Sequence, residues 1–350
     1  MKKKKKNVAI ITGGDSSEFG VSLRSAENLY AYIDKNRYNV YLVFVTKEAW
    51  VVLTSDIDSP SPPSENSPEN PDKPFQLIGE FQGTAINKNT FSFQKGYATV
   101  QIDFAYITIH GTPGEDGRLQ GYFDMLGIPY STCGVLTSAL TFNKYVCNQF
   151  LKSRGITVAD SILVQKGQPV DSEKIVKELG LPLFVKPNEG GSSFGITKVK
   201  DTSQIQAAVE KAFDESDEVI IERFISGIEV TCGCYRKRNK LIVLPLTEVV
   251  PENEFFDYGA KYNGEVQEIT PARISTKLTG RIQRETKKIY DFIGAKGIIR
   301  IDYMVTPDKI PVMLEVNTTP GMTATSFIPQ QVQAAGLNMT KIMTDIIENK

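Results

Sequence analysis

The feature that most constrains the fold is the opening stretch of residues 7–14, NVAIITGG. A short apolar run breaks at Gly13 and Gly14, and a helical period then places Leu23, Ala26, Tyr30 and Ile33 on one face. Strand, glycine turn and helix are the start of an α/β unit. The lysines Lys2 to Lys6 are similar to the basic start of an export signal. A signal also needs a longer apolar core and a small-residue cleavage site. They read as a solvated tail ahead of a first strand.

The pattern continues with a strand at 38–46, YNVYLVFVT, and a buried strand within 102–111, IDFAYITIHG. Between them, residues 54–74 are rich in Pro, Ser, Asn and Asp and read as a flexible surface insertion. One helical stretch covers about 135–154. Strand, helix, strand, glycine loop, strand, helix and strand follow up to EVIIERF. After 227 come strands, a long irregular segment at 250–273, a helix at 276–293, two strands and a final helix.

A chain of 350 residues accommodates two or three domains. A formal net charge of −1 provides no overall field for nucleic acid or an anionic membrane. No apolar run reaches the length of a membrane span. Of the four cysteines, only Cys232 and Cys234 lie close in sequence, and the chain has a single histidine. Cys-x-Cys without further ligands does not fit a zinc site, so the cysteines read as free thiols of a reducing compartment.

Two constellations carry chemistry. In VMLEVN, residues 312–317, Val312, Leu314 and Val316 alternate with Met313, Glu315 and Asn317, so Glu315 and Asn317 share one strand face. Upstream, Arg300 and Asp302 alternate with Ile299, Ile301 and Tyr303, and TPDKIP between the strands reads as a turn. A hairpin centred between Asp308 and Lys309 sets Asp302 opposite Glu315, and Arg300 opposite Asn317. Opposed carboxylates repel unless a cation lies between them, and Asp, Glu and Asn offer hard oxygens suited to Mg²⁺. The plain alternative is a solvated outer face.

The second constellation is FVKPNEGGSSFGITKV, residues 184–199. Glycines let backbone N–H groups approach an anion, and Ser192 and Ser193 add hydroxyl donors. A strand follows, so this is not a Walker loop. The alternative is a plain glycine-rich hairpin, although Lys186 entering an apolar strand needs a partner. Lys144 and Lys261 are phosphate candidates that, taken singly, also fit surface lysines. His110, at the end of an apolar strand, fits either a core histidine or a ligand contact.

Taken in order, GGDSSEFGVSLRSA, HGTPGEDGRLQGYFDMLGIPYSTCGV, NK at 143–144, VKPNEGGSSFGITKV, IERFISGIEVT, FFDYGAKYNG, RIDYM and LEVNTTPGMTATSFIP resemble the ATP-grasp ligases, and within them the D-alanine–D-alanine ligase family. The resemblance covers nearly the whole chain apart from about 46–100. It implies a fold of α/β and α+β class, a three-domain ATP-grasp architecture. A Rossmann-like domain at 1–132 would precede two α+β domains at 133–226 and 227–350 that clamp ATP, with a lid at 250–273.

The resemblance also implies roles. Asp302, Glu315 and Asn317 would hold two Mg²⁺ ions, replaceable by Mn²⁺. Lys144, Lys186 and Lys261 would contact ATP beside Ser193. Glu222, Arg223 and Ile225 would line the adenine pocket, and Glu229 would bind ribose. Glu18, with His110 nearby, would take the ammonium of the first D-alanine, and Ser326 the carboxylate of the second. Glu18, Ser192 and Tyr262 would form a hydrogen-bonded triad, and Arg300 with the Gly321 N–H would face the oxyanion. Gly190 departs from the family, standing where many members carry Glu.

The implied product is D-alanyl-D-alanine for peptidoglycan synthesis, made by a cytoplasmic homodimer that binds neither nucleic acid nor membrane. D-Alanine–D-lactate ligation is the near alternative, which Tyr262 disfavours. A non-catalytic nucleotide-binding regulator on the same fold is the distant one, and the intact metal and oxyanion sets argue against it.

Overall fold

The computed structural model describes residues 4–53, 83–191, 194–251 and 266–348. The insertion at 54–74, Ser192, Ser193, Lys261 and Tyr262 lie outside these residues. The chain divides into two compact units, one of 1–132, 321–329 and 338–350, the other of 133–320 and 330–337.

In the first unit, β1 (Lys6–Gly13), α1 (Phe19–Tyr32), β2 (Tyr38–Val45), β3 (Trp50–Leu53) and β4 (Gly83–Ala85) are followed by a hairpin, β5 (Ser92–Lys95) and β6 (Ala98–Gln101). Then come β7 (Phe104–Ile107) and α2 (Arg118–Leu126). One sheet has the order β4-β3-β2-β1-β7, with β1 parallel to both β2 and β7. A central parallel strand is covered on both faces, which explains the unbroken apolar run Val8–Ile11, fully buried throughout. Phe91, in the stretch that the family resemblance skips, packs edge-on against Phe123 with ring centroids 4.9 Å apart.

The buried face of α1 differs from expectation. It comprises Ser22, Ser25, Ala26 and Leu29, while Leu23 and Tyr30 are only half-buried. Two serines inside the unit turn the helix away from the face that hydrophobicity alone would choose.

The second unit begins with α3 (Val135–Phe142) and α4 (Lys144–Ser153). These replace the single helix expected over 135–154. Asn143 leaves helical geometry at φ −85°, ψ 100° and caps α4 by accepting from the Val146 N–H at 3.0 Å. A four-stranded antiparallel sheet follows, built from β8 (Ser161–Gln165), β9 (Leu183–Pro187), β10 (Thr197–Val199) and β11 (Glu218–Arg223) in the order β10-β9-β11-β8. Helices α5 (Ser172–Leu179) and α6 (Ile205–Ala212) contribute Ile175, Leu179, Ala208 and Val209 to its core.

A five-stranded sheet completes the unit, with β12 (Ile228–Lys237), β13 (Lys240–Pro251), β14 (Val266–Ile269), β15 (Ile298–Val305) and β16 (Pro311–Asn317) in the order β14-β13-β12-β15-β16. Helix α7 (Thr276–Phe292) covers it through Leu278, Ile282 and Ile289. Two further helices, α8 (Phe327–Ala334) and Met339–Glu348, end the described chain.

The segment read as irregular over 250–273 has strand at both described ends, because β14 pairs antiparallel with Glu248–Pro251. The four residues of β14, Val-Gln-Glu-Ile, show no apolar alternation, so nothing marks them as strand in sequence. All four cysteines are free and buried. Burial pushes the Cys133, Cys147 and Cys232 thiols up to about 12.

Candidate active site

The carboxylate hairpin has the expected pairing at its functional end, for an unexpected reason. Arg300 lies opposite Asn317 and Asp302 opposite Glu315. Nearer the turn the register is one residue tighter, with Met304 opposite Val312 and Val305 opposite Pro311. The turn therefore centres on Asp308 rather than between Asp308 and Lys309, and Lys309 takes a left-handed φ of 62°.

A β-bulge between Asp302 and Tyr303 inserts Leu314 on the partner strand and restores the carboxylate pairing. The bulge also breaks the simple alternation. Met313 and Val316 both enter the core beside Ile301 and Tyr303, while Glu315 and Asn317 remain on the other face with Arg300 and Asp302.

Three strands converge on Asp302. Arg300 donates through Nε to Oδ1 at 2.9 Å and through a terminal nitrogen to Oδ2 at 2.8 Å. The Thr231 hydroxyl, directly across on β12, donates to Oδ1 at 2.5 Å. Asn317 Nδ2 donates to Oδ2 at 3.0 Å, which turns its carbonyl oxygen away from Asp302. Arg300 and Asp302 are 13% and 16% exposed, so this charge-assisted fork is largely shielded from water.

Asp302, Glu315 and the Asn317 carbonyl are hard oxygen donors on one face, and this donor set fits Mg²⁺. Among the described residues no hydrogen bond reaches the Glu315 carboxylate, which acts through space on Lys186. An opposed pair of acids repels, and a cation between them relieves that repulsion.

Lys186 has the partner that its position demanded. It lies opposite Ile220, and Glu222 lies opposite Phe184, so the two are diagonal neighbours on one face. Their charges form an ion pair. Asn148 on α4 donates to the other Glu222 oxygen at 3.0 Å. Burial pulls the lysine's proton affinity down. Glu222, with Glu315 and Glu229 farther off, more than offsets this, and Lys186 is held above its ordinary value. The Arg223 side chain turns the other way, toward Asp160 and the Glu178 carbonyl. Ile225 and Glu229 are half-buried at the exit of β11 and in β12. Lys144 opens α4 and donates through Nζ to the Gly190 carbonyl at 2.5 Å.

The first unit gathers Glu18, His110, Gly321 and Ser326. Glu18 is buried at the N-cap of α1. Gly111 has φ +68°, and a Cβ there would lie 3.5 Å from Glu18 Oε2 and 3.0 Å from Ser16. That space keeps glycine after His110. Ser22 Oγ accepts from the His110 N–H at 3.0 Å, and Ser25 Oγ lies 3.5 Å from His110 Nε2.

The Ser25 hydroxyl also accepts from the Met322 N–H at 3.2 Å, while Asn28 donates to the Met322 carbonyl at 2.6 Å. A Cβ on Gly321 would come within 2.9 Å of the Ser326 hydroxyl, which accepts from the Thr323 N–H at 3.0 Å. Ser22 and Ser25 were missed in sequence. Their only signal is their spacing of three beside Ala26 and Leu29. Thr231 was also missed, although it stands two residues after Glu229 on the same strand.

The whole chain also matches known proteins. A family model described as D-ala D-ala ligase N-terminus matches residues 7–133, and one described as D-ala D-ala ligase C-terminus matches residues 150–348. A protein of Parabacteroides distasonis named D-alanine--D-alanine ligase is 59% identical over 99% of this chain and 98% of its own. The crystal structure of the VanG D-Ala:D-Ser ligase from Enterococcus faecalis aligns with a TM-score of 0.82 and 32% identity, covering 98% of this chain and 99% of that one. A D-alanine--D-alanine ligase from Bacillus anthracis complexed with ATP aligns at 0.73 with 30% identity, over 99% and 97% of the two chains.

Proposed function

Because this chain belongs to the D-alanine–D-alanine ligase family, we propose that it joins two molecules of D-alanine into D-alanyl-D-alanine with cleavage of ATP to ADP and phosphate. The observation that carries the reading is the in-register face of Arg300, Asp302, Glu315 and Asn317. A pure nucleotide binder has no need of two opposed carboxylates held beside an arginine.

A carboxylate is a poor electrophile. One oxygen of the first D-alanine carboxylate bonds to the γ-phosphorus, and the bond to the ADP oxygen breaks. The resulting acyl phosphate has a good leaving group. The second D-alanine, as a free amine, adds to the acyl carbon, loses a proton and expels phosphate. Glu18 holds the first ammonium with His110 nearby, and Ser326 takes the second carboxylate. Arg300 and the Gly321 N–H serve the oxyanion.

Lys144, Lys186 and Lys261 counter the phosphate charge beside Ser193, while Glu222 to Ile225 and Glu229 hold the nucleoside. Mg²⁺ ions at Asp302, Glu315 and Asn317, two in number and replaceable by Mn²⁺, would supply charge neutralisation at the transferring phosphoryl group. Acyl phosphates hydrolyse, so the site needs a cover. Residues 250–273, with Tyr262 joining Glu18 and Ser192, are assigned that role.

The working modules are 1–132, 133–226 and 227–350. The break between compact units at 132 and 133 and the change of sheet between β11 and β12 support the two boundaries, while 321–329 and 338–350 group with the first unit. Among the described residues no helix is long and apolar enough to cross a membrane. The enzyme is read as a cytoplasmic homodimer acting on a peptidoglycan precursor.

The test is phosphate release with D-alanine, L-alanine, D-lactate and D-serine, with product identification. Release dependent on D-alanine and matched by equimolar D-alanyl-D-alanine is expected. Phosphate release indifferent to D-alanine would refute the reading. A depsipeptide or a D-alanyl-D-serine product would move the acceptor.

A further inference from the structure

The N-terminus of α4 carries Lys144, yet the group that holds it in place comes from far along the chain. Asn188, fully buried, follows Lys186 and Pro187 and opens the glycine loop. Its carbonyl accepts from the Lys144 N–H at 3.0 Å, and its side-chain Oδ1 accepts from the Tyr145 N–H at 2.8 Å. Asn143 satisfies the next donor, Val146 N–H, at 3.0 Å.

The first-turn N–H groups of α4 are therefore occupied within the protein. They are not left to bind a phosphate, so the anion-binding task at this end falls to the Lys144 ammonium. That ammonium already reaches the glycine loop at the Gly190 carbonyl.

The other side of Asn188 is equally committed. Its Nδ2 donates to Glu218 Oε2 at 2.8 Å, and its N–H donates to the Glu218 carbonyl at 2.8 Å. Glu218 begins β11, the strand that carries Glu222. It also accepts from Asn143 at 3.4 Å and from Gln165 at 3.3 Å. One carboxamide thus ties three elements together: the start of α4, the start of the glycine loop and the start of β11.

We propose that Asn188 is the positioning residue of the nucleotide half of the site, fixing the Lys144 ammonium relative to the glycine loop and to the Lys186–Glu222 pair without touching substrate. The proposal rests on the assignment of these lysines to ATP.

A reversal of donor and acceptor tests it. Asn188→Asp still accepts from Tyr145 but places a carboxylate against Glu218, so the two repel. Adding Glu218→Gln restores a donor–acceptor contact with the polarity exchanged. ATP binding to the full-length protein is measured by calorimetry without D-alanine, together with KM for ATP, KM for D-alanine and the thermal midpoint. Lys144→Ala serves as the control.

Asn188→Asp is expected to weaken ATP about tenfold while KM for D-alanine stays within about twofold. The double variant is expected to return ATP binding to within about threefold of wild type. If the single variant does not fold, the double variant carries the test, because it must both fold and bind ATP.

A folded Asn188→Asp variant with wild-type ATP affinity would overturn the proposal. So would a double variant whose thermal midpoint recovers while its ATP affinity does not. If Lys144→Ala weakens ATP and Asn188→Asp does not, the positioning claim fails and the ATP assignment stands. If neither changes ATP binding, the assignment itself fails and takes the proposal with it.

Discussion

Two charged cross-strand pairs lie in the second unit, Lys186–Glu222 on β9 and β11 and Asp302–Glu315 on β15 and β16. Both are set into strands whose other face is core. In the first, a half-buried cation meets a buried anion, and Asn148 fills the remaining oxygen. In the second, two anions oppose each other, and among the described residues Arg300 pairs with Asp302. A pair of opposite charges serves stability as well as binding. A pair of like charges works against the fold, and the proposed cation site is what would offset it. Removing a member should therefore have opposite consequences in the two places.

The largest expected effect is at the like-charged pair. Glu315→Gln should lower turnover about a thousandfold, since the proposed Mg²⁺ site would lose one of its two carboxylates. Its thermal midpoint should stay level or rise as the repulsion with Asp302 is relieved. Wild-type turnover at limiting Mg²⁺ would break the comparison.

At the opposite-charged pair, Lys186→Met should cost stability as well as activity. It leaves Glu222 only 7% exposed and without its cation, worth about 3 kcal/mol in denaturant unfolding. The pH dependence follows from the raised proton affinity of Lys186. Its contribution is complete below the ordinary lysine value and is lost as pH rises through the higher folded-state value. The stability gap between wild type and Lys186→Met should thus stay constant from about pH 7 to 10 and close above that. A gap that closes on acidification instead would assign the effect to another group.

Thr231→Val should be milder. It keeps the shape of the β12 side chain but removes the hydroxyl that donates to Asp302 Oδ1. A loss of about 1 kcal/mol should appear as a several-fold higher Mg²⁺ requirement, with KM for D-alanine unchanged. An unaltered Mg²⁺ titration would show that Arg300 and Asn317 hold Asp302 without it.

The smallest effect concerns a third pair that borders β14. Arg273 hydrogen bonds hold Glu248 below its ordinary value against the opposing pull of burial. That contribution is present above the carboxylate's ordinary value and is lost as pH falls through the lower folded value. Glu248→Gln should be slightly less stable than wild type at neutral pH and indistinguishable from it in acid. A difference that persists in acid would point to geometry rather than charge.

How much of this was legible in sequence depended on the range of the contact. Alternation around a short turn was enough to align Asp302 with Glu315, although a turn displaced by half a residue and a bulge at Leu314 offset one another. Neither leaves a mark in hydrophobic periodicity. Lys186 announced itself as a charge inside an apolar strand. Ser22 and Ser25 did not, because a short hydroxyl on a helix reads as solvent-facing until its partners, His110 and Met322, are known. Asn143 was hidden inside a helical run, and Asn188 looked like one more polar residue beside glycines. The side-chain partners of Asn188, Tyr145 and Glu218, lie 43 and 30 residues away in sequence, beyond the reach of any local period.

The central claim is that Asp302, Glu315 and Asn317 form a divalent-cation site next to the nucleotide. Manganese binding in the presence of ADP, followed by the paramagnetic resonance of free Mn²⁺, tests it without relying on turnover. The wild-type chain should retain Mn²⁺, and Asp302→Asn and Glu315→Gln should each weaken it by at least about tenfold while remaining folded. Equal Mn²⁺ retention by all three proteins would contradict the assignment.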